Sequence, residues 1–148
     1  MLPGSPCIFV DLPGAKGYLC NSSCYKTYIM DQITYERLRR YTFRAGGKES
    51  LQCKQSRFVR MVALLIIEAD RLGFELSFDD AFAVQGHMKN SLHYRRLAID
   101  LNLFRNGKYL EKTSSHLQLG QYWESIGGSW GGRFADGNHY SLEHKGIR

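Results

Sequence analysis

Two histidines and two carboxylates carry the chemistry this sequence can offer. His93 and Asp100 lie seven residues apart in Ser91-Leu92-His93-Tyr94-Arg95-Arg96-Leu97-Ala98-Ile99-Asp100, and Asp136-Gly137-Asn138-His139 follows about forty residues later. A catalytic zinc site takes three protein ligands, commonly His with a carboxylate, and keeps a fourth position open. His93, Asp100 and His139 make a plausible set of three. Asp136, one tight turn before His139, can then face the bound water as general base, while Zn2+ lowers that water's pKa towards ~7.

These groups need a rigid frame, and the surrounding pattern supplies one. Residues 97–103 form an apolar run interrupted by Asp100 and Asn102, which reads as a strand carrying Asp100, with His93 in the loop before it. His139-Tyr140-Ser141-Leu142-Glu143 reads as a second strand able to pair beside the first. Glu143, four residues after His139, is the reserve candidate for the base or for a group supporting the ligands, and Ser91 is placed to hydrogen-bond near them.

The strongest helix spans residues 50–72: Ser50 can cap it, Phe58, Met61, Val62, Leu65, Ile66, Ala69 and Leu72 recur at three- and four-residue steps, and Gly73 ends it. Residues 74–78 alternate as a half-buried strand and lead into Asp79-Asp80, which reads as a solvated turn and, alternatively, as a carboxylate pair able to bind a cation. Gly86 to Asn90 is a loop, with His87 read as a surface histidine and, alternatively, as a group that reaches substrate. Asn106-Gly107 between apolar runs predicts a hairpin. Ser114 or Ser115 can cap a second helix, residues 116–126, with Leu117, Tyr122, Trp123 and Ile126 as its buried side. The glycine-rich stretch 127–132 lacks the lysine and spacing of a phosphate loop. It reads as a flexible wall with Trp130 as an apolar floor for substrate.

The stretch resembles the SxHxxGxAxD signature of the zinc peptidases that cut peptidoglycan stem peptides, the D-Ala-D-Ala carboxypeptidases, D-Ala-D-Ala dipeptidases and phage L-alanyl-D-glutamate endolysins. Ser91, His93, Ala98 and Asp100 match it, and Asp136-Gly-Asn-His139 is similar to the second motif, where an acidic residue three positions before the last histidine is the base. Residues 89–104, with Trp130-Gly-Gly-Arg-Phe134 and Asn138 to His144, look most like the phage and prophage branch; the resemblance covers roughly residues 50–148. It implies an α+β fold of the Hedgehog/DD-peptidase type, a small antiparallel sheet bearing the zinc site and packed on two or three helices. It also implies zinc held by His93, Asp100 and His139, and bacterial peptidoglycan as substrate. Three positions depart from the pattern. The signature glycine is Arg96, the base is Asp136 where many relatives have Glu, and no arginine stands near residues 82–85, where the family carries one for substrate.

The 148 residues, 43% hydrophobic and 23% charged, suit one globular catalytic domain. No apolar run approaches the ~18 residues of a membrane span, and no stable membrane insertion is expected. Residues 1–48 read as an N-terminal extension, expected to be disordered in part, and 49–148 as the peptidase domain. The extension holds all three prolines, Cys7, Cys20 and Cys24, and seven Lys/Arg against three Asp/Glu. Its start lacks the pattern of a secretory signal, and a cleaner helix-like stretch follows Met30, so residues 1–29 are expected to be dispensable for catalysis. Cys20 and Cys24 have no second ligand pair nearby for a structural zinc, and Cys53 is expected in the core or at its boundary.

The function these features point to is a zinc peptidoglycan peptidase of the endolysin kind. It is expected to be a monomer, made in the host cytoplasm and acting on the wall after release. A zinc-holding wall-binding module with impaired catalysis is the alternative. The net charge of +6 is the only feature suggesting nucleic acid; contact with anionic wall polymers explains it as well, and no nucleic-acid partner is expected.

Overall fold

The computed structural model describes residues 8–12, 15–19, 36, 37 and 49–148. The chain falls into two compact units, Met1–Arg37 and Leu38–Arg148. In the first, β1 (Ile8–Leu12) pairs antiparallel with β2 (Ala15–Leu19), the two separated in sequence by Pro13-Gly14. The expectations attached to Cys7, Cys20, Cys24 and Met30, and to disorder in the extension, fall outside the described residues.

The described part of the second unit is α+β, as the sequence predicts. Helix α1 (Leu51–Arg71) begins where Ser50 Oγ accepts a hydrogen bond from the Cys53 amide at 3.2 Å and gives way at Leu72 to Gly73, at φ +74°. Its buried stripe is Phe58, Met61, Val62, Leu64, Leu65 and Ala69. Leu64 and Ile66 lie about 100° to either side of Leu65 around the helix; packing covers Leu64 and leaves Ile66 exposed, a choice helical spacing does not make. Cys53 is exposed rather than at the core.

Strands β3 (Glu75–Phe78), β4 (Ala98–Arg105), β6 (Ser129–Trp130) and β7 (His139–Ser141) form an antiparallel sheet in the order β3-β4-β7-β6, and β5 (Lys108–Tyr109) pairs with β4. Asn106 and Gly107 both take positive φ, 52° and 70°, as a two-residue hairpin turn requires. β3 is more exposed than its alternation suggests, with Phe78 in solvent: it is an edge strand, and its apolar side is not fully covered.

The second helix is shorter than predicted. A 3₁₀ turn over Thr113–His116 leads into α2 (Leu117–Ser125), with no side-chain cap from Ser114 or Ser115. Trp123, Leu119 and Ile126 are its buried side; Leu117, about 120° around the helix from Trp123, is exposed. Trp123 meets Phe58 of α1 edge-on, ring centroids 5.8 Å apart, and its Nε1 donates to the Ser141 carbonyl at 2.9 Å. Helix packing and the β7 backbone therefore share one side chain. Below β7, buried His116 Nδ1 meets the Tyr140 hydroxyl at 2.9 Å. Burial pushes the His116 pKa down and the Tyr140 pKa up, so both stay neutral. His116 is thus a satisfied core histidine.

A candidate metal centre at the base of a cleft

His93 sits on a 3₁₀ turn, Leu92–Arg95, whose N-cap is Ser91: the Ser91 hydroxyl accepts from the His93 amide at 3.3 Å. Ser91 thus acts on the backbone that carries His93 and not on the imidazole. The turn ends at Arg96 in the left-handed region (φ 54°, ψ 41°), a conformation that favours glycine and costs another residue about 1–2 kcal/mol. The glycine of the signature has a geometric reason here, and the arginine has a compensating contact: its guanidinium lies over the Phe82 ring, 4.4 Å from the centroid. Arg96→Ala keeps the strain and loses the stack, whereas Arg96→Gly loses the stack and relieves the strain. Thermal melting should therefore rank Arg96→Ala below Arg96→Gly by about 1 kcal/mol, and the reverse order would contradict the strain argument.

Strand pairing brings the other groups in. Asp100 on β4 and His139 on β7 are direct partners in the antiparallel register, which places side chains of directly opposed residues about 5 Å apart at Cβ. His93 Nε2, Asp100 Oδ1 and His139 Nδ1 then form a triangle with sides of 3.4 Å (His93 to Asp100), 2.9 Å (His139 to Asp100) and 3.2 Å (His93 to His139). Metal–donor bonds of 2.0–2.1 Å at tetrahedral angles separate donors by about 3.3–3.4 Å. The triangle is close to one face of such a tetrahedron, so the donor set fits zinc. His93 is 1% exposed, and Asp100 and His139 are half-buried. Burial opposes ionisation of Asp100, but hydrogen bonds from His139 and His93 outweigh it and hold its pKa at about 2. The carboxylate stays charged throughout the neutral range.

The triangle opens into a cleft of about 1180 Å³, lined by the segment from His87 to His93 and by residues from Gly127 to Asp136, with Glu143 and Ser141. Met88 and Phe134, both largely exposed, add apolar surface to it. Asp136 lines the same cleft, is exposed, and among the described residues has no hydrogen-bond or ion-pair partner on its carboxylate. Its backbone is tightly held: its amide donates to the Gly131 carbonyl at 3.2 Å and its carbonyl accepts from the His139 amide at 3.4 Å.

The glycine-rich stretch is ordered structure and not a flexible wall. It supplies β6 and the 3₁₀ turn Gly131–Phe134, because pairing of Ser129 and Trp130 with Ser141 and Tyr140 satisfies its backbone. Trp130 lines the cleft and also braces it, donating from Nε1 to the Gly137 carbonyl at 2.8 Å, with its ring closely packed against Gly120 and Gly132. A Cβ on Gly131 would stand 2.5 Å from the Asp136 carbonyl oxygen and 2.9 Å from His139 Cβ. Gly131→Ala must therefore displace the turn bearing both residues. Turnover should fall roughly 10²-fold, the order that an ångström of misplacement costs, with weaker zinc binding; unchanged values of both would show that the turn yields elsewhere.

Glu143 also lines the cleft, but it lies past the end of β7 and its Oε1 accepts from the Gly146 amide at 2.6 Å. Its carboxylate is engaged in a turn, while that of Asp136 is open. Asp80 and His87, read in the sequence as a solvated turn and a surface histidine, are joined to each other and to the site. His87 Nε2 lies 2.7 Å from Asp80 Oδ2, and the His87 ring stacks on that of His93. The signal that could have found them is a histidine six residues before the ligand histidine with an acidic pair upstream, too weak alone to separate from ordinary loop composition.

The family model described as D-alanyl-D-alanine carboxypeptidase matches residues 85–142. The resemblance to these peptidases is shown. The matched segment runs from the loop before His93 to the end of the strand after His139, and so contains the donor triangle and Asp136. That match supports a peptidase, a hydrolase acting on peptidoglycan-type substrates. No curated protein matches the chain. Among the described residues, no helix is long and apolar enough to cross a membrane.

Proposed function

We propose that the protein is a zinc-dependent peptidoglycan peptidase that hydrolyses an amide bond of the stem peptide, as a phage or prophage endolysin does. The observation that carries this reading is the triangle of His93 Nε2, Asp100 Oδ1 and His139 Nδ1 at the base of a cleft that also holds the open carboxylate of Asp136. Zinc bound there would supply Lewis acidity, polarising the scissile carbonyl and acidifying a water.

The protein's own groups do the rest. Asp100 and the two imidazoles would hold the ion, and the Asp100 carboxylate would offset part of its charge. Asp136 takes the proton from the attacking water and returns it to the leaving amine. Gly131 and Trp130 keep the turn of Asp136 and His139 in place. The apolar surface of Met88 and Phe134 suits the alanine methyl groups of a stem peptide, and the exposed ammonium of Lys89, lining the cleft and unpaired among the described residues, suits its carboxylates. Peptidoglycan is the proposed partner, met after synthesis in a host cytoplasm and release to the wall, by a monomer and without nucleic acid.

Mass spectrometry of muropeptides after digestion of purified walls tests activity and bond together. The reading expects new amino and carboxyl termini within the stem peptide, lost on chelation and restored by zinc. An intact muropeptide profile with zinc bound would favour a wall-binding module with impaired catalysis.

A further inference from the structure

Metal-ligating histidines ordinarily donate their second ring nitrogen to a carboxylate, carbonyl or water, which fixes the ring's orientation. His93 lacks this support among the described residues: its Nδ1 is buried with no hydrogen-bond partner there, while Nε2 faces Asp100 and His139. Something else must hold the ring.

His87 lies flat against it, with ring centroids 4.4 Å apart and planes inclined by 17°. His87 is clamped in turn. Its Nε2 meets Asp80 Oδ2 at 2.7 Å, its amide donates to the Tyr94 hydroxyl at 2.9 Å, and that hydroxyl donates back to the His87 carbonyl at 2.8 Å. Asp80 is anchored through its carbonyl, which accepts from the Asp100 amide at 2.7 Å, and through Oδ1, which accepts from the Phe82 amide at 2.9 Å. The contacts close a circuit from the backbone of Asp100, through Asp80 and His87, to the ring of His93.

We propose that His87, pinned by Asp80, is a positioning residue that fixes the His93 imidazole by stacking, in place of the hydrogen bond that His93 Nδ1 does not make. This rests on the reading of His93 as a zinc ligand. Asp80, His87 and His93 also place donor atoms within 4.8 Å of one another, but the stacked rings argue against a second ion there. A ring nitrogen's lone pair lies in the ring plane, and two stacked rings inclined by only 17°, with centroids 4.4 Å apart, cannot both aim at one ion about 2 Å from each.

The test is zinc affinity, measured by competition with a chromophoric chelator on wild type, His87→Ala, His87→Phe and His93→Ala, with thermal melting of each metal-free protein. His87→Ala should weaken zinc binding about 10–100-fold, as loss of a supporting partner does. His87→Phe keeps the stacked ring and should lie much closer to wild type. Melting of the metal-free His87 variants should stay near wild type, because the loop is half-exposed. Wild-type affinity in His87→Ala overturns the proposal, as does a His87→Phe as weak as alanine, which would mean that the nitrogen matters and not the ring. Two zinc ions per wild-type chain, falling to one in His87→Ala, overturns it in favour of a second metal site. Equal zinc affinity in His93→Ala and wild type would instead defeat the ligand assignment itself, an outcome distinct from the others.

Discussion

His139→Ala is expected to lose zinc and turnover together. Nδ1 of His139 is the corner of the donor triangle nearest to Asp100, at 2.9 Å, and removing it leaves His93 and Asp100 as two protein donors. Two protein donors rarely hold zinc tightly, and the binding free energy of a full set is large enough that one missing ligand is felt over orders of magnitude. His93→Ala and Asp100→Ala should behave alike in metal content. Asp100→Asn is the finer probe, since it keeps the shape of the side chain and removes the charge that the site holds ionised throughout the neutral range. It should weaken zinc binding without disturbing the β4–β7 register, which rests on backbone bonds. Elemental analysis after dialysis, with turnover on the same samples, checks all four variants; full zinc occupancy in His139→Ala would sink the ligand assignment.

Asp136→Asn should separate proton transfer from metal binding. The side chain keeps its size, and no hydrogen bond to its carboxylate is lost, because among the described residues that carboxylate has no partner. Zinc content should stay near wild type. Turnover should fall by about 10²–10⁴, the usual contribution of a positioned general base. Asp136→Glu reaches one methylene further from a turn that Gly131, Trp130 and the Thr113 bond to the Ala135 carbonyl hold closely, so a partly active enzyme is expected. If Asp136→Asn lost zinc instead, Asp136 would be a ligand. Near-wild-type wall hydrolysis would remove it from the mechanism and turn attention to Glu143, whose carboxylate would first have to leave the Gly146 amide.

The sequence by itself determined the features that local chemistry controls. Ser50 and the apolar spacing after it specify α1, Asn106-Gly107 specifies the β4–β5 turn, and the apolar run around Asp100 specifies β4, because caps, turn dihedrals and side-chain periodicity act over a few residues. The candidates His93, Asp100, His139 and Asp136 were legible for a related reason: ligand and base chemistry admits few residue types, and they stand in two short motifs. What only the tertiary structure decided is everything that depends on which surface covers which. Leu64 and Ile66 are equivalent by spacing, and packing buries one of them. The pairing of Asp100 with His139 spans 39 residues and is fixed by strand register. Arg96 is accommodated because Phe82 comes back to meet it, and Glu143 turns from a free carboxylate into a partner of Gly146. His87 gains its place only when the chain folds it onto His93. A stacking contact between two loop residues leaves no period, cap or turn signal in the residues themselves.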